Sequence, residues 1–375
     1  MSPSGTAAPR RRSLLKLSLV LGTLGCGGGM ALIAMARHQL GDKEHWLDDE
    51  TFLRDLAIAQ SVPGTMASNL ITVLGLRAGG WRTALACLIV FILPSVVLMG
   101  VLGAVYGQAR TFEPIAVLLA GLGPAVVAIT LAVGLQLLRR VRAKWQWVVA
   151  AIAAALIIAR LLTVFEIILL TAGGALIGSL VRQQRPALQA VSLPALAWVF
   201  VQISLSMFGG GLAMITAVAH QLVEQRHWLP AQEFADGVGL SQITPGPLAT
   251  AATFFGYRID GLPGAVVATL GIFVPATALV FLASRFLQNR REQPTVKLVL
   301  EALSAATLGL ILAASVSLAR SGGIAPHLPQ GAIDAGLVGV GLAVLLRGVG
   351  PLWVLGGTVV LHAGLGFLLP SVGVR

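Results

Sequence analysis

The sequence predicts an all-α polytopic membrane protein built from two homologous repeats that lie in inverted orientation. Three observations support this prediction: recurring uncharged apolar segments, an internal repeat at constant spacing, and a loop-charge bias that swaps between the repeats. Of the 375 residues, 56% are hydrophobic and 11% are charged, and the mean hydropathy is +0.87. Soluble domains carry about 25% charged residues, so this composition favours a membrane protein.

Segments without charged residues recur along the whole chain, and they leave no stretch long enough for a soluble domain. They cover residues 17–36, 56–76, 83–109, 114–138, 186–223, 237–257, 261–284 and 348–374. A helix that crosses the bilayer needs about 20 predominantly apolar residues, so the pattern predicts a helical multi-pass protein. We expect about ten crossings, within a range of roughly 10 to 12.

The net charge of +11 does not indicate nucleic-acid binding, because the Lys and Arg residues cluster in short loops between apolar segments. That distribution is typical of the cytoplasmic loops of membrane proteins. Cys26 and Cys87 both fall within apolar segments and form no CxxC pair, which argues against a disulfide framework. No HExxH, GxSxG or phosphate-loop motif is present, so we predict neither an enzyme nor a bound cofactor or metal.

The chain contains an internal repeat. Starting with the pair Gly27 and Gly209, equivalent residues lie 182 positions apart. The matching pairs include GGGMALI with GGGLAMI, His38-Gln39-Leu40 with His220-Gln221-Leu222, His45-Trp46-Leu47 with His227-Trp228-Leu229, and Pro63-Gly64 with Pro245-Gly246. The offset becomes 181 from Gly75 and Gly256 onwards. We therefore predict two units, residues 1–183 and 184–375. The repeat includes the first apolar segment, so we do not expect that segment to be a cleaved export signal.

Loop charges predict that the two repeats are inverted. Residues 139–144 carry four basic side chains, whereas the equivalent loop at 320–333 carries only Arg320. The preceding loop has the opposite bias, with more basic residues in the second repeat. This swap favours an inverted pair with both termini in the cytoplasm. It requires an odd number of crossings per repeat, so Trp145–Val181 would form one broken crossing; parallel repeats with six crossings each are the alternative.

A proline-glycine pair interrupts an apolar segment in each repeat, at Pro63-Gly64 and within SQITPGPLAT at 241–250. Proline lacks an amide hydrogen and disrupts the preceding helical turn, so we expect a broken helix near the membrane midplane. The amides that begin the next helix lack partners and form a site for an anion. Candidate binding residues are Gln60, Ser61, Pro63, Gly64, Thr65, Ser68 and Asn69, with Ser241, Gln242, Thr244, Pro245, Gly246, Pro247 and Thr250. The alternative is a pair of proline kinks relieved by packing.

Secondary candidates lie around these breaks. The glycine triplets, which contain Gly28 and Gly29 or Gly210 and Gly211, either let another helix approach closely or expose backbone to a substrate. Arg77 and Arg258 either attract anions at a mouth or anchor the helix at the membrane surface. His38 and His220 either relay protons or cap helices.

The second repeat closely resembles the chromate transporter family. The resemblance rests on FGGGLAMI, HWL and FADGVGLSQITPGPLATAATFFGYRIDGLPGAVVATLGIFVPA, between residues 208 and 276. The family's motifs fall on Phe208–Gly211, Thr244–Pro247 and Gly256–Arg258. The first repeat departs from the family pattern at Cys26, Gly29 and Thr65, which leaves the break intact and adds a hydroxyl group there.

The resemblance implies a bacterial inner-membrane protein that exports chromate using the proton motive force, with two antiparallel halves. Sulfate has the same shape and charge as chromate, so we expect it to compete. A transporter of sulfate or another oxyanion, a passive anion channel and a membrane-bound chromate reductase or other redox enzyme are the alternatives. The sequence leaves open whether the protein is a homodimer.

Overall fold

The computed structural model describes residues 11–25, 28–43, 46–138, 148, 191–207, 212–286 and 330–368. Within these ranges, all regular elements are helices. Three are long and apolar enough to cross a membrane by length and composition: Met66–Ala109, Glu113–Ala132 and Leu248–Arg285. These helices confirm the predicted all-α membrane fold. The predicted broken crossing at Trp145–Val181 lies outside the described residues except for Val148, and Gly210, Gly211 and the boundary at 183 and 184 also lie outside them.

The described helices of the first repeat are α1 to α6. They are α1 (Arg11–Leu24), α2 (Gly28–Arg37) continued by a π-helix (His38–Lys43), α3 (Asp49–Gln60), α4 (Met66–Ala109), α5 (Glu113–Ala120) and α6 (Leu122–Leu138). α3 begins where the Asp48 side chain accepts a hydrogen bond from the Thr51 amide at 2.7 Å, which satisfies one of the unpaired amides of the first turn.

The described helices of the second repeat are α7 to α12, and α7 to α10 have the same order as α1 to α4. They are α7 (Leu193–Ser206), α8 (Leu212–Val218) continued by a π-helix (Ala219–Gln225), α9 (Ala231–Ile243), a 3₁₀ turn (Leu248–Thr250), α10 (Ala251–Phe286), α11 (Gln330–Leu346) and α12 (Pro351–Leu368). The bounds of α1 and α7 differ by 182 at both ends, as the sequence repeat requires. The second π-helix likewise falls on the equivalent of the first. The predicted repeat is therefore a structural repeat.

α4 and α10 are each two helices joined by a sharp turn. In α4 the turn lies at Gly79 and Gly80, which have non-helical backbone angles, and it separates α4a (66–78) from α4b (81–109). Asp260 and Gly261 form the same turn in α10, between α10a (251–259) and α10b (262–286). The Thr253 and Thr269 hydroxyls are 2.7 Å apart, although a straight helix would separate them by about 24 Å. The chain therefore reverses direction at each turn.

The predicted helix breaks are also points of chain reversal. In the first repeat, Asp55 of α3 contacts Arg77 of α4a, and in the second, Glu233 of α9 contacts Arg258 of α10a. Both arginines lie near the far end of the second leg, and each contacts an acidic residue of the first leg, so the two legs lie side by side. We call residues 49–78 hairpin 1 and residues 231–259 hairpin 2. The sequence predicted the breaks but not the reversal, by which each hairpin enters and leaves on the same side of the membrane.

Contacts between the repeats establish that they are inverted. A methyl group added at Gly100 of α4b would lie 3.8 Å from Thr253 of α10a, and one at Gly107 would lie 3.4 Å from Arg258. α4b and α10a therefore run in the same direction. Because α10b runs back along α10a, it is antiparallel to α4b, which is its own equivalent in the first repeat. This confirms the inverted orientation predicted from loop charges.

The core of the protein is shared between the repeats. One buried cluster contains residues of α7 to α10 together with Met99 and Tyr106 of α4b and much of α6. A second cluster contains residues of α1 to α4 together with Val280 and Ala283 of α10b. Each repeat therefore completes its hydrophobic core with the long helix of the other repeat, which fixes the positions of the two hairpins.

Candidate functional site

The tips of the two hairpins make equivalent hydrogen bonds with the opposite repeat. The Gly64 amide donates to the Met207 carbonyl at 3.0 Å, and the Gly246 amide donates to the Gly25 carbonyl at 3.0 Å. Gly25 and Met207 are themselves equivalent positions, next to the two glycine triplets. The reciprocal bonds indicate an approximate two-fold axis between the tips.

Both tips lie against the middle of a long helix. The Ser95 hydroxyl donates to the Pro245 carbonyl, and Ser95 is halfway between Trp81 and Ala109 at the ends of α4b. A methyl group added at Gly64 would lie 2.9 Å from Cβ of Ala276, which occupies the equivalent place in α10b. Because α4b is long enough to span the bilayer, this contact indicates that the tips lie near the midplane.

In hairpin 1, the predicted polar residues close the break itself. The Asn69 side-chain amide donates to the carbonyls of Ala59, Val62 and Pro63, at 3.1 to 3.2 Å. The Thr65 and Ser68 hydroxyls hydrogen-bond to each other at 2.5 Å. Asn69 thus replaces the hydrogen bonds that the break removes from the backbone carbonyls.

In hairpin 2, hydroxyl groups take over this role. Ser241 donates to the Val238 carbonyl at 2.7 Å, Thr244 to the Leu240 carbonyl at 2.7 Å, and Thr250 to the Pro247 carbonyl at 2.9 Å. These local bonds hold the three side chains close to the tip. They also mean that each hydroxyl would have to rotate before it could donate to an anion.

The helices that leave the two breaks begin without a side-chain cap. Thr65 precedes α4 and makes no capping hydrogen bond, and Pro247 precedes the 3₁₀ turn in the same way. The first amides of a helix have no intrahelical acceptor, and they lie at the positive end of its dipole. Each tip therefore presents backbone donors suited to an anion, although the Gly64 and Gly246 amides are already engaged.

The other predicted binding residues surround these tips. Ser61 is partly buried and donates to the Ala57 carbonyl at 2.7 Å. Gln60 is exposed and Gln242 is partly exposed at the ends of the first legs, while Pro63 is buried and Pro245 is partly buried. Gly28 and Gly29 begin α2, beside the Gly25 carbonyl that binds hairpin 2.

Arg77 and Arg258 tie the legs of the hairpins together. Arg77 forms two hydrogen bonds with Asp55, at 2.5 and 2.7 Å, and the Asp55 side chain is only 1% exposed. Arg258 forms two bonds with Glu233, at 3.0 and 3.2 Å. The sequence analysis missed both carboxylates, because only the chain reversal brings each one next to its arginine.

The two predicted histidines differ in environment. Both lie at the start of a π-helix, a form often found near functional sites. His38 is exposed, whereas His220 is 4% exposed and its Nδ1 atom lies 3.1 Å from Glu224 Oε2. His220 is thus a buried side chain paired with a partly buried carboxylate, whereas His38 is open to solvent.

A buried cluster joins hairpin 2 to the first repeat, and we call it the Tyr106 cluster. The Tyr106 hydroxyl donates to Asp236 Oδ2, and the Gln232 side chain donates to Asp236 Oδ1 at 3.0 Å. Arg110 donates to the Tyr106 hydroxyl at 3.1 Å, and the Arg258 guanidinium lies 5.2 Å from the Tyr106 ring centre. The cluster therefore holds residues of both repeats in one polar network, which the sequence analysis did not foresee.

Comparison with known proteins identifies the family. The sequence model of the chromate transporter family matches residues 12–179 and 194–371, one segment in each repeat. The chain belongs to the chromate transporter family. The resemblance noted in the sequence is thereby confirmed, and it extends over both repeats.

Named relatives cover most of the chain. This chain is 31% identical over 385 residues to the chromate transport protein of Pseudomonas aeruginosa, and the match covers 92% of this chain and 89% of that protein. It is 29% identical to the chromate transport protein of Cupriavidus metallidurans, covering 82% of each. A probable chromate transport protein of Synechococcus elongatus is 28% identical over 82% of this chain and 84% of its own length. No solved structure matches. These names point to a membrane transporter rather than an enzyme.

Proposed function

We propose that this protein is a secondary active transporter that exports chromate, a tetrahedral dianion, across the bacterial cytoplasmic membrane, driven by the proton motive force. The observation that carries the proposal is the pair of uncapped helix starts at the hairpin tips, which come from inverted repeats. Inverted repeats with half-helices that end near the midplane are a recurrent architecture of secondary transporters. Family membership supports chromate as the substrate.

The electrostatics of the tips suit a dianion. Two helix starts contribute partial positive charge from opposite sides of the membrane, and neither has a nearby acidic cap at Thr65 or Pro247. Burying an anion away from water is costly unless donors replace its hydration shell. We propose that the first amides of α4a and of the 3₁₀ turn, with the Thr65, Ser68 and Thr250 hydroxyls, supply these donors.

The direction of transport follows the membrane potential. An interior-negative potential is worth about 2.3 kcal/mol per charge per 100 mV, so a dianion that leaves the cell gains roughly twice that. Export therefore needs little additional driving force, whereas uptake would need much more. Sulfate matches chromate in shape and charge, and a cage of donors cannot easily separate such isosteres. We expect sulfate to inhibit chromate transport.

A charge placed at the tip tests this proposal without breaking the fold. We would measure chromate accumulation in inverted membrane vesicles with an imposed proton gradient, comparing Thr65→Asp with its matched control, Thr65→Asn. Both side chains are good helix caps, so both variants should fold. The carboxylate of Thr65→Asp would neutralise the helix start and repel the dianion, so we expect it to abolish accumulation while Thr65→Asn retains most of it.

Two results would count against the proposal. Equal accumulation by the two Thr65 variants would show that no anion binds at hairpin 1. Vesicles of the unaltered protein that take up sulfate but not chromate would leave the site in place and overturn the substrate.

A further inference from the structure

Asp236 in the Tyr106 cluster is a buried carboxyl group without a direct cationic partner in its hydrogen bonds. It is 0% exposed, and its two oxygens accept from the Tyr106 hydroxyl and the Gln232 amide. Arg110 reaches it only through the Tyr106 hydroxyl. Ionisable groups buried inside a membrane protein are costly and typically mark proton or ion pathways.

Hairpin 1 provides the contrast. Its buried acid, Asp55, accepts two hydrogen bonds directly from the Arg77 guanidinium, which makes a bidentate ion pair. The position equivalent to Asp236 is Arg54, which lies at the surface and pairs with Glu50 at 3.1 Å. A buried carboxyl group that accepts hydrogen bonds only from neutral donors is thus a property of hairpin 2. Such donors leave both protonation states accessible.

Protonation of Asp236 would change the contact that holds hairpin 2 to α4b. Both carboxylate oxygens accept hydrogen bonds, so the observed arrangement fits the charged form. A proton on Oδ2 turns that oxygen into a donor that faces the Tyr106 hydroxyl, which is itself a donor. One of the two O–H groups must then rotate away, and the link between Tyr106 of the first repeat and Asp236 of the second is weakened.

We propose that Asp236 is the proton-binding site of this transporter, and that its protonation releases hairpin 2 from Tyr106 and so couples proton movement to substrate movement. This inference rests on the proposed function, because a coupled proton matters only if the protein is driven by the proton motive force. Asp236 takes up one proton from one side of the membrane and returns it to the other. Tyr106 acts as a positioning residue, since it keeps its own proton in both states.

Other titratable groups lie on the elements that pack against α9, so the test must separate them from Asp236. α6 packs against α9 but has no titratable side chain. α9 itself carries one other titratable side chain, Glu233. The remaining groups are Tyr106 of α4b and Arg110 just after it, Glu113 of α5, His220 and Glu224 of the second π-helix, Tyr257 and Arg258 of α10a, and His362 of α12. His362 is the strongest competitor, because it is 4% exposed and its Nε2 atom lies 3.5 Å from Asp334 Oδ1.

The experiment compares chromate accumulation in inverted vesicles at several imposed pH gradients, with the membrane potential held at zero. If one proton is exchanged per substrate, each pH unit should change the accumulation ratio of the unaltered protein by about tenfold. In Asp236→Asn we expect no response to the gradient, while exchange of labelled for unlabelled chromate at equal pH continues. Asp55→Asn and His362→Gln should keep the tenfold response in whatever activity remains.

A second measurement does not depend on transport. Infrared difference spectra of the purified protein in lipid should show a protonated carboxyl band that appears as the pH falls. The band should be missing from Asp236→Asn, and in Tyr106→Phe it should persist with a shifted midpoint. A gradient response that survives in Asp236→Asn, or that disappears in His362→Gln instead, would overturn the assignment. If the unaltered protein accumulates no chromate but the band titrates as described, the substrate fails and the proton site stands.

Discussion

Hairpins 1 and 2 share one architecture but are held in place differently. Hairpin 1 is closed by its own residues, through Asn69 at the break and the Asp55–Arg77 pair at the open end. Hairpin 2 also has an internal pair, but its tip and its first leg are bonded to α4b through Ser95 and Tyr106. Both tips bond to the opposite repeat through Gly64 and Gly246, but hairpin 2 has two further side-chain hydrogen bonds to α4b, so it depends more on the position of the other repeat.

For the proposed transport cycle, this difference predicts which hairpin responds more strongly to a change between inward-facing and outward-facing states. When one inverted repeat rocks against the other, contacts between repeats break first. Such a movement would disturb the tip bonds of Gly64 and Gly246 alike, but in hairpin 2 the bonds from Ser95 and Tyr106 would also have to be remade. We therefore expect hairpin 2 to change more of its contacts than hairpin 1 during the proposed transport cycle.

The largest effect is expected for an added methyl group at the tip of hairpin 2. Gly246 has φ +107°, and a Cβ atom there would collide with the Ser95 hydroxyl. Backbone strain and overpacking together should cost Gly246→Ala about 4 kcal/mol. Gly64→Ala, with φ +121° and milder Cβ contacts of 2.9 Å with Ala276 Cβ and Asn69 Oδ1, should cost less. Thermal unfolding of the purified protein in detergent checks the order.

A double variant sharpens this test. Adding Ser95→Ala removes the hydroxyl that obstructs the new methyl group, so Gly246→Ala/Ser95→Ala should recover to about the melting temperature of Gly64→Ala. A double variant that is no more stable than Gly246→Ala would show that backbone strain alone sets the cost.

The second-largest effect is expected when the arginine of either hairpin's ion pair is replaced, and the loss of stability should differ between the two hairpins. Arg77→Gln leaves the Asp55 carboxylate, 1% exposed, without its counter-charge, which should cost about 3 kcal/mol. Arg258→Gln leaves Glu233, which is 17% exposed, so water can replace part of the lost interaction and the cost should be smaller. Arg77→Gln/Asp55→Asn should regain most of the stability, because it removes the unpaired charge. Equal melting temperatures for the two arginine variants would contradict the difference in burial.

A smaller difference in stability is expected when the side chains that hydrogen-bond to the helix breaks are removed. Asn69→Ala leaves the carbonyls of Ala59, Val62 and Pro63 without their donor, which should cost about 2 kcal/mol. Ser95→Ala leaves only the Pro245 carbonyl and should cost about 1 kcal/mol. Chemical unfolding followed by tryptophan fluorescence would compare them, and a larger loss in Ser95→Ala would show that hairpin 2 depends on α4b more than hairpin 1 depends on Asn69.

The features that the sequence predicted well are those carried by local chemistry. Pro63-Gly64 and Pro245-Gly246 predicted the breaks because proline and glycine disrupt a helix wherever it lies. The repeat and its inversion followed from spacing and from loop charges. The reversal at Gly80 and Gly261 was missed, because a glycine in an apolar segment fits a continuous helix equally well. The contact between Asp236 and Tyr106 was missed as a consequence. These residues are 130 positions apart in the sequence, and only the chain reversals bring them together.

The smallest effect concerns the start of α3, where the repeats differ at one cap. Asp48 accepts from the Thr51 amide, whereas its equivalent, Pro230, makes no side-chain cap. Hydrogen bonds from Thr51 lower the pKa of Asp48 from its ordinary value of 3.8. The cap therefore stabilises the protein above that value and its contribution is lost as the pH falls through the lower pKa of the folded state. Asp48→Ala should lower the melting temperature slightly at neutral pH, and the difference should shrink in acid. Asp48→Asn, which caps without a charge, should match the unaltered protein at neutral pH and keep its cap in acid. A loss of melting temperature in Asp48→Ala that does not change with pH would mean that the charge contributes nothing.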